Sequence, residues 1–185
     1  MSKPIEITLK ALEPADVSTL LKWENDQNIW SVSETIEPFS KYKLDTYVKQ
    51  TLTFDVFALR QLRLMIHKVE SSTFDITEPI GTIDLFEFNP IHKHAGIGIM
   101  LLKEYQGQGI GKMVLDQFLP YLFEKLQLHS VYANVSETNI NSIKFFENYG
   151  FTKVGEYKEF LYEKERFVSQ LTYQYINKLR TKSEE

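Results

Sequence analysis

The sequence predicts an α/β fold, with one mixed central sheet of about seven strands flanked by about four helices. Segments with alternating apolar residues recur along the chain, and segments with apolar residues three and four positions apart stand between them. A glycine cluster at 107–111 separates an apolar strand pattern from a helical one. With no linker or repeat in the pattern, we predict one domain over residues 1–177 and a charged tail over 178–185.

The first half is predicted to be mainly helical in its middle and extended at both ends. The predicted elements are, in chain order, a strand at 5–9, a helix opened by Pro14, a helix at 41–53, and strands at 61–68 and 82–88. Pro14 suits a first helical turn because its missing N–H would have no partner there. Asn89-Pro90 is a turn signal that ends the last of these strands.

The second half alternates strands and helices. Its predicted elements are a strand at 94–102, a helix after the glycine cluster, a strand at 131–135, a helix at 140–149, and strands at 152–162 and 167–176 joined by a hairpin loop. Pro120 should kink the first of these helices. Asn139 suits the start of the second, and Gly150 suits a left-handed cap at its end.

Composition narrows the classes of function. The chain has 185 residues, no cysteine and a formal net charge of −4. Disulfides, thiolate metal sites and cysteine nucleophiles are therefore excluded, and a nucleic-acid partner is disfavoured because such proteins usually carry a basic excess. The start lacks a signal-peptide pattern and the longest apolar run, 97–102, is too short for a bilayer. We expect a cytoplasmic protein with no membrane partner.

The segment from Tyr105 to Lys112 carries the clearest functional signal. Gly107, Gly109 and Gly111 stand where a strand gives way to a helix. Glycines let a ligand approach backbone amides, and the first amides of a helix attract anions. A pyrophosphate fits this arrangement, with Lys112 at its rim, although a plain flexible turn would have the same composition. The nicotinamide and P-loop fingerprints both fail here, because their glycine spacings differ.

This segment and a second motif resemble the GNAT superfamily of N-acetyltransferases. That family carries Gln/Arg-x-x-Gly-x-Gly/Ala between its fourth strand and third helix, which Gln106, Gly109 and Gly111 match. The second motif consists of Asn139, Ser142, Phe145-Phe146 and Gly150-Phe151. The stretch 81–95 looks like the polyamine enzymes of the family, and ribosomal-protein N-terminal acetyltransferases are the other similar group.

The resemblance implies acetyl-CoA as co-substrate, with no metal. The implied cofactor-binding residues are Ile99 and Leu101 through their backbone, Gln106, Gly107, Gln108, Gly109, Ile110, Gly111 and Lys112 in the loop, and Asn139, Ser142 and Phe146 near the pantetheine arm. No H-x-x-x-H pattern or carboxylate cluster indicates a metal site, and His92 with His94 is insufficient. Polyamine relatives assemble into rings, so a homo-oligomer is possible.

The catalytic residues depart from the family pattern. A tyrosine seven residues after Asn139 often protonates the departing thiolate, but this chain has Phe146 there. Tyr149, one helical turn later, is the candidate acid, with water or simple packing against Phe151 as alternatives. Glu87 is the candidate base, since an amine must lose a proton before or during attack. Asp84, three positions earlier, is expected on the opposite face of the strand.

The resemblance implies that the acceptor is a small-molecule amine or a peptide N-terminus. Trp30, Glu34 and Glu37 are candidates for an amine pocket, through cation–π contact and charge, although core packing also explains the aromatic ring. The predicted reaction is acetylation of a polyamine such as spermidine in a ternary complex. The alternatives are protein N-terminal acetylation, acetylation of an antibiotic amine, and a CoA-binding sensor that has lost catalysis, which Phe146 favours.

Overall fold

A computed structural model describes residues 5–26, 37–70 and 75–177. Its centre is a seven-stranded sheet in the order β1-β2-β3-β4-β5-β7-β6. The strands are β1 Glu6–Ala11, β2 Leu62–Glu70, β3 Asp75–Asn89, β4 His94–Leu101, β5 Ser130–Ser136, β6 Thr152–Glu163 and β7 Arg166–Ile176. β4 and β5 pair in parallel, and the other neighbours pair antiparallel. The predicted mixed sheet is confirmed.

Five α-helices lie in the described part of the chain. They are α1 Val17–Glu24, α2 Lys41–Thr53, α3 Val56–Leu59, α4 Ile110–Pro120 and α5 Ile140–Tyr149. The sequence missed α3, because a four-residue helix is too short to show a helical period. α4 ends at Pro120 and a π-helical turn, Tyr121–Lys125, continues it, so the expected irregularity is found at the proline.

The sheet has an apolar core on each face. On one face, α4 and α5 cover a core that contains Ile97, Val131 and Phe118. On the other, α1 and α2 cover a smaller core that contains Met65, Leu20 and Leu44. These faces are called the α4–α5 face and the α1–α2 face below. Side chains alternate between these faces along each regular strand, so residues two positions apart lie on the same face. Residues that share a face in this way are said to have the same strand parity.

β3 departs most from the sequence prediction. It begins at Asp75 rather than after Gly81, and Pro79 lies inside it, where the register with β2 shifts. A proline interrupts a regular ladder, so an irregular register is where a strand tolerates one. A second irregularity lies between Phe86 and Asn89, where the register with β4 shifts and Glu87 adopts a φ of 51°. This second bulge changes the geometry of the candidate site.

No helix among the described residues is long and apolar enough to cross a membrane.

Candidate active site

A groove opens between the two parallel strands. β4 and β5 pair over three residues only, from His94–Ser130 to Gly96–Tyr132. Beyond that point β4 continues along β3 as far as Leu101, and β5 continues along β7 as far as Ser136. The two strands therefore separate, and the backbone of β4 from Ile97 to Leu101, which includes Ile99, forms one wall of the opening.

The glycine loop lies at the wide end of this groove, between β4 and α4. Gly107 and Gly109 have φ values of 72° and 79°, and Gly109 is the N-cap of α4. A Cβ built on either glycine meets no atom of the described structure within 4 Å, so the outer side of the loop is open. The first amides of α4 follow directly, and such amides have no partner inside their helix. The loop can thus present backbone donors to an anion.

The side chains of this loop mainly hold its shape. Gln106 Nε2 donates to the carbonyl of Leu101 at 2.8 Å, and Gln108 Nε2 donates to the carbonyl of Glu104 at 2.5 Å. Lys112 pairs with Asp116 one turn along α4, with 2.6 Å between Nζ and Oδ2 and 69% of its side chain exposed. An exposed lysine of this kind rearranges at little cost when a stronger anion arrives.

Gly111 and Ile110 position α4 rather than contact the opening. A Cβ on Gly111 would lie 2.8 Å from Cε2 of Phe145, so the glycine permits close packing of α4 against α5. Ile110 is buried in the core of the α4–α5 face. Their presence in the loop motif thus has a packing explanation that is independent of any ligand.

The second motif forms the start of α5. Asn139 is the N-cap, and its Oδ1 accepts a hydrogen bond from the Ser142 amide at 3.1 Å, which confirms the predicted cap. Gly150 ends the helix with a φ of 109°, also as predicted. Phe146 is buried and its ring contacts those of Phe145 and Phe151, both at 5.0 Å between centroids. An apolar ring therefore occupies the place of the family's tyrosine.

Tyr149 lies on the α4–α5 face. Its hydroxyl donates to Oδ1 of Asp116 at 3.0 Å, and burial together with this hydrogen bond raises the pKa of the phenol. Its ring contacts Phe151, as Phe146 does, so the two positions share a face of the helix as predicted. The hydroxyl is thus already bound to a carboxylate, and its role as the acid stays a prediction.

Glu87 is exposed at the bulge of β3, beside the end of the groove where β4 and β5 still pair. Its carboxylate accepts a short hydrogen bond from the hydroxyl of Tyr132 on β5. The ring of Tyr132 packs edge-on against Phe86, which has the same strand parity as Asp84. The expectation that Asp84 and Glu87 would face opposite sides was wrong, because the bulge breaks the two-residue alternation.

Tyr132 joins Glu87 to a small aromatic cluster. Its ring lies 6.0 Å from Phe86 and 6.3 Å from His94, which stacks on His92. Burial and the hydrogen bond to Glu87 raise the pKa of the phenol. Tyr132 was not among the residues predicted from the sequence, because no local pattern in β5 indicates which strand lies beside it. The sequence shows which residues of β5 share a face, but it does not show which strand pairs with β5.

A partly buried ion network lies on the same face. Arg63 of β2 donates to Asp84 of β3 at 2.5 Å and to Glu24 of α1, and its guanidinium lies 5.9 Å from the ring centroid of Tyr47. Burial works against the charge of Arg63, but the two carboxylates outweigh it and its pKa is raised. Burial raises the pKa of Asp84, and the charge of Arg63 opposes that rise. This network was not predicted from the sequence.

The remaining predicted residues fall outside these clusters. Glu37 is exposed and pairs with Lys43 at 3.1 Å. Trp30 and Glu34 lie outside the described residues. Within the described ranges, no group of three or more metal-ligating side chains is close enough to hold a metal ion.

Comparison with known proteins identifies the class. Residues 6–152 match the acetyltransferase (GNAT) domain family. The spermidine N(1)-acetyltransferase of Vibrio cholerae is 28% identical over 156 residues, which cover 83% of each chain. The Bacillus subtilis protein YdaF, whose name describes a ribosomal N-acetyltransferase, is 27% identical over 158 residues, covering 84% of this chain and 83% of YdaF.

The fold agrees with that assignment. A solved structure of the Vibrio cholerae spermidine N-acetyltransferase, in complex with CoA and spermine, has a TM-score of 0.77 at 26% identity. The match covers 92% of this chain and 95% of that one. The chain belongs to the GNAT family and is an N-acetyltransferase, which confirms the fold and the enzyme class predicted from the sequence.

Proposed function

We propose that this protein transfers the acetyl group of acetyl-CoA directly to a primary amine of a polyamine such as spermidine. The observation that carries the proposal is the groove between β4 and β5, with the glycine loop at its wide end and Glu87 beside its narrow end. The relative named a spermidine acetyltransferase, and its structure with CoA and spermine, support the acceptor class.

The cofactor would lie along β4. The pyrophosphate would bind the amides that follow Gly109, and the pantetheine arm would run along the free backbone edge of β4 toward Gly96. From Leu101 to Gly96 the strand rises about 17 Å. An arm that followed this length of β4 would bring the thioester near Tyr132 and Glu87.

Charge on the α1–α2 face supports a cationic acceptor. The carboxylate of Glu87 is exposed on this face, which also carries Glu24 and Asp84 with Arg63. Alkylamines are protonated at pH 7, so a negative field raises their local concentration. Glu87 would then take a proton from the bound amine as it attacks the carbonyl carbon. Backbone amides of β4 would stabilise the oxyanion that forms.

The test is an acceptor panel that follows free thiol released from acetyl-CoA, with spermidine, putrescine, a short peptide with a free N-terminus, and an aminoglycoside. We expect spermidine to give the highest kcat/KM, and added salt to lower it. The similarity to YdaF favours the peptide as the second candidate, so a preference for the peptide would replace the polyamine proposal. Cofactor binding without thiol release from any acceptor would favour a CoA sensor.

The role of Glu87 is tested by Glu87→Gln. We expect kcat/KM at pH 7 to fall by about 10²-fold, within the usual range for a general base, and to recover partly at higher pH as the free amine becomes abundant. Glu6→Gln, an exposed residue on the far edge strand β1, is the matched control and should change nothing. A Glu87→Gln enzyme as active as the parent at pH 7 would remove Glu87 from the mechanism.

A further inference from the structure

We infer that Tyr132 donates a proton to the departing CoA thiolate, in place of the tyrosine that many family members have where this chain has Phe146. Glu87 then returns a proton to the Tyr132 phenolate. The inference rests on the proposed function and adds a residue to it. Three observations on separate parts of the chain carry it: the place of Tyr132 in the sheet, its hydrogen bond, and the packing that fixes its ring.

Tyr132 stands where the groove begins. The pair Gly96–Tyr132 is the last at which β4 and β5 are neighbours, so the two strands separate immediately after it. A thiol at the inner end of a cofactor that lies along β4 would reach this point. Tyr132 is on the α1–α2 face, which also carries the exposed carboxylate of Glu87, the proposed base. Acceptor, base and acid would thus share one side of the sheet.

The hydroxyl is already connected to the candidate base. Tyr132 donates to the carboxylate of Glu87, which the bulge of β3 brings to it. The ring is held edge-on by Phe86, whose own ring occupies the space that a side chain at position 96 would need. A Cβ on Gly96 would lie 2.1 Å from the ring of Phe86, so only glycine fits there. The phenol is therefore pre-positioned rather than free to rotate away.

The proton balance closes without any other reactant. The amine nitrogen, entering as the free base, forms a bond to the carbonyl carbon and gives its extra proton to Glu87. The C–S bond then breaks, its electron pair stays on sulfur, and the Tyr132 hydroxyl proton moves to that sulfur. The proton held by Glu87 moves to the phenolate oxygen. Both residues return to their starting states, and the proton of the amine ends on CoA.

Tyr149 is the competing donor. Its hydroxyl is bound to Asp116 on the α4–α5 face, away from Glu87, so a proton from the amine would have to cross the sheet to reload it. The experiment therefore compares Tyr132→Phe and Tyr149→Phe. Tyr173→Phe is the matched control, because Tyr173 on β7 also donates to a carboxylate, that of Glu147 at 3.0 Å, and has no role in the proposed chemistry.

We expect Tyr132→Phe to lower kcat at pH 7 by about 10²-fold, with the KM for acetyl-CoA changed less than about threefold. The defect should shrink as pH rises past about 8.5, the ordinary pKa of a thiol, because the thiolate is then stable without a proton. A purely structural role would give a pH-independent defect. The titratable groups that face Tyr132 are Glu87 and, through ring contact, His94 with His92 behind it.

Thermal unfolding and acetyl-CoA titration of each variant establish that it is folded and binds. A Tyr132→Phe enzyme with parental kcat, a pH-independent defect, or a loss confined to Tyr149→Phe would each overturn the inference. These outcomes require an active parent enzyme. Failure of the parent to release thiol with any amine is a different result, and it rejects the proposed function instead.

Discussion

Replacing Arg63 by methionine tests the partly buried ion network most directly. The side chains of Arg63, Glu24 and Asp84 are only 22%, 16% and 25% exposed. Methionine keeps much of the aliphatic length but removes the cation, so the two carboxylates lose the positive charge that they share. Breaking a buried ion pair by removing one partner costs about 3–5 kcal/mol. For a domain of this size that corresponds to a fall in Tm of about 6–20 °C.

The loss should depend on pH, and its sign follows from the burial. Burial already raises the pKa of Asp84 in the parent protein, and Arg63 counteracts part of that rise. In the Arg63→Met protein this counteraction is lost, so the folded-state pKa of Asp84 rises further above its unfolded value of about 3.9. A carboxyl group with a raised folded pKa favours the fold below the unfolded pKa, and this contribution is lost as pH rises through the folded pKa. The destabilisation should therefore be larger at pH 8 than at pH 5.

The assay is urea unfolding of both proteins at pH 5, 6.5 and 8, with the free energy of unfolding extrapolated from each transition. Lys43→Met is the matched control, because it removes the cation of an exposed pair with Glu37, whose side chains are 53% and 76% exposed. An exposed pair of this kind contributes below about 1 kcal/mol. If Arg63→Met lowered the free energy of unfolding no more than Lys43→Met, or lowered it equally at every pH, Arg63 would not be the cation that holds these two carboxylates together.

Two further predictions concern the cofactor. Gly109→Val should weaken acetyl-CoA binding at least tenfold, measured by calorimetry with a chelator present, because a branched side chain would stand over the open side of the loop. The positive φ at position 109 adds about 1–3 kcal/mol of strain for valine. Gly155→Val is the control, because a Cβ there meets only Thr172, at 3.9 Å. If Gly109→Val bound acetyl-CoA as tightly as the parent protein, the loop would not be the phosphate-binding site. Acetyl transfer should also follow ternary-complex kinetics, since the chain has no cysteine carrier; parallel double-reciprocal lines or a trapped acetyl-protein would contradict it.

The sequence was most informative for elements whose structure is determined by local residue patterns. The bounds of α2 and α5 were predicted to the residue, because apolar spacing and caps such as Asn139 and Gly150 are local. The order of the strands along the chain and the position of the glycine loop were predicted for the same reason. α3 and the early part of β3 were missed, since four residues show no period and Pro79 argued against a strand.

The site was harder to predict because its geometry is long-range. Glu87 was selected, but strand alternation put Asp84 and Glu87 on opposite faces, since a bulge is not visible in a local pattern. Tyr132 and Arg63 gained their significance only from neighbours 45 and 21–39 positions away in sequence. Composition could not identify them, because an isolated tyrosine or arginine within a strand has many ordinary explanations.

The phenylalanine at position 146 is consistent with proton transfer on the other side of the sheet. Phe146 is buried between Phe145 and Phe151, so a hydroxyl there would need a partner among apolar rings, and an unpaired buried hydroxyl costs about 1–3 kcal/mol. The aromatic packing therefore favours a side chain without a hydroxyl group at position 146. The bulge of β3 provides the compensation, because it brings Glu87 onto the α1–α2 face beside Tyr132. If Tyr132 is the proton donor, the bulge and Phe146 are linked, since the bulge brings Glu87 to the tyrosine that would do what Phe146 cannot.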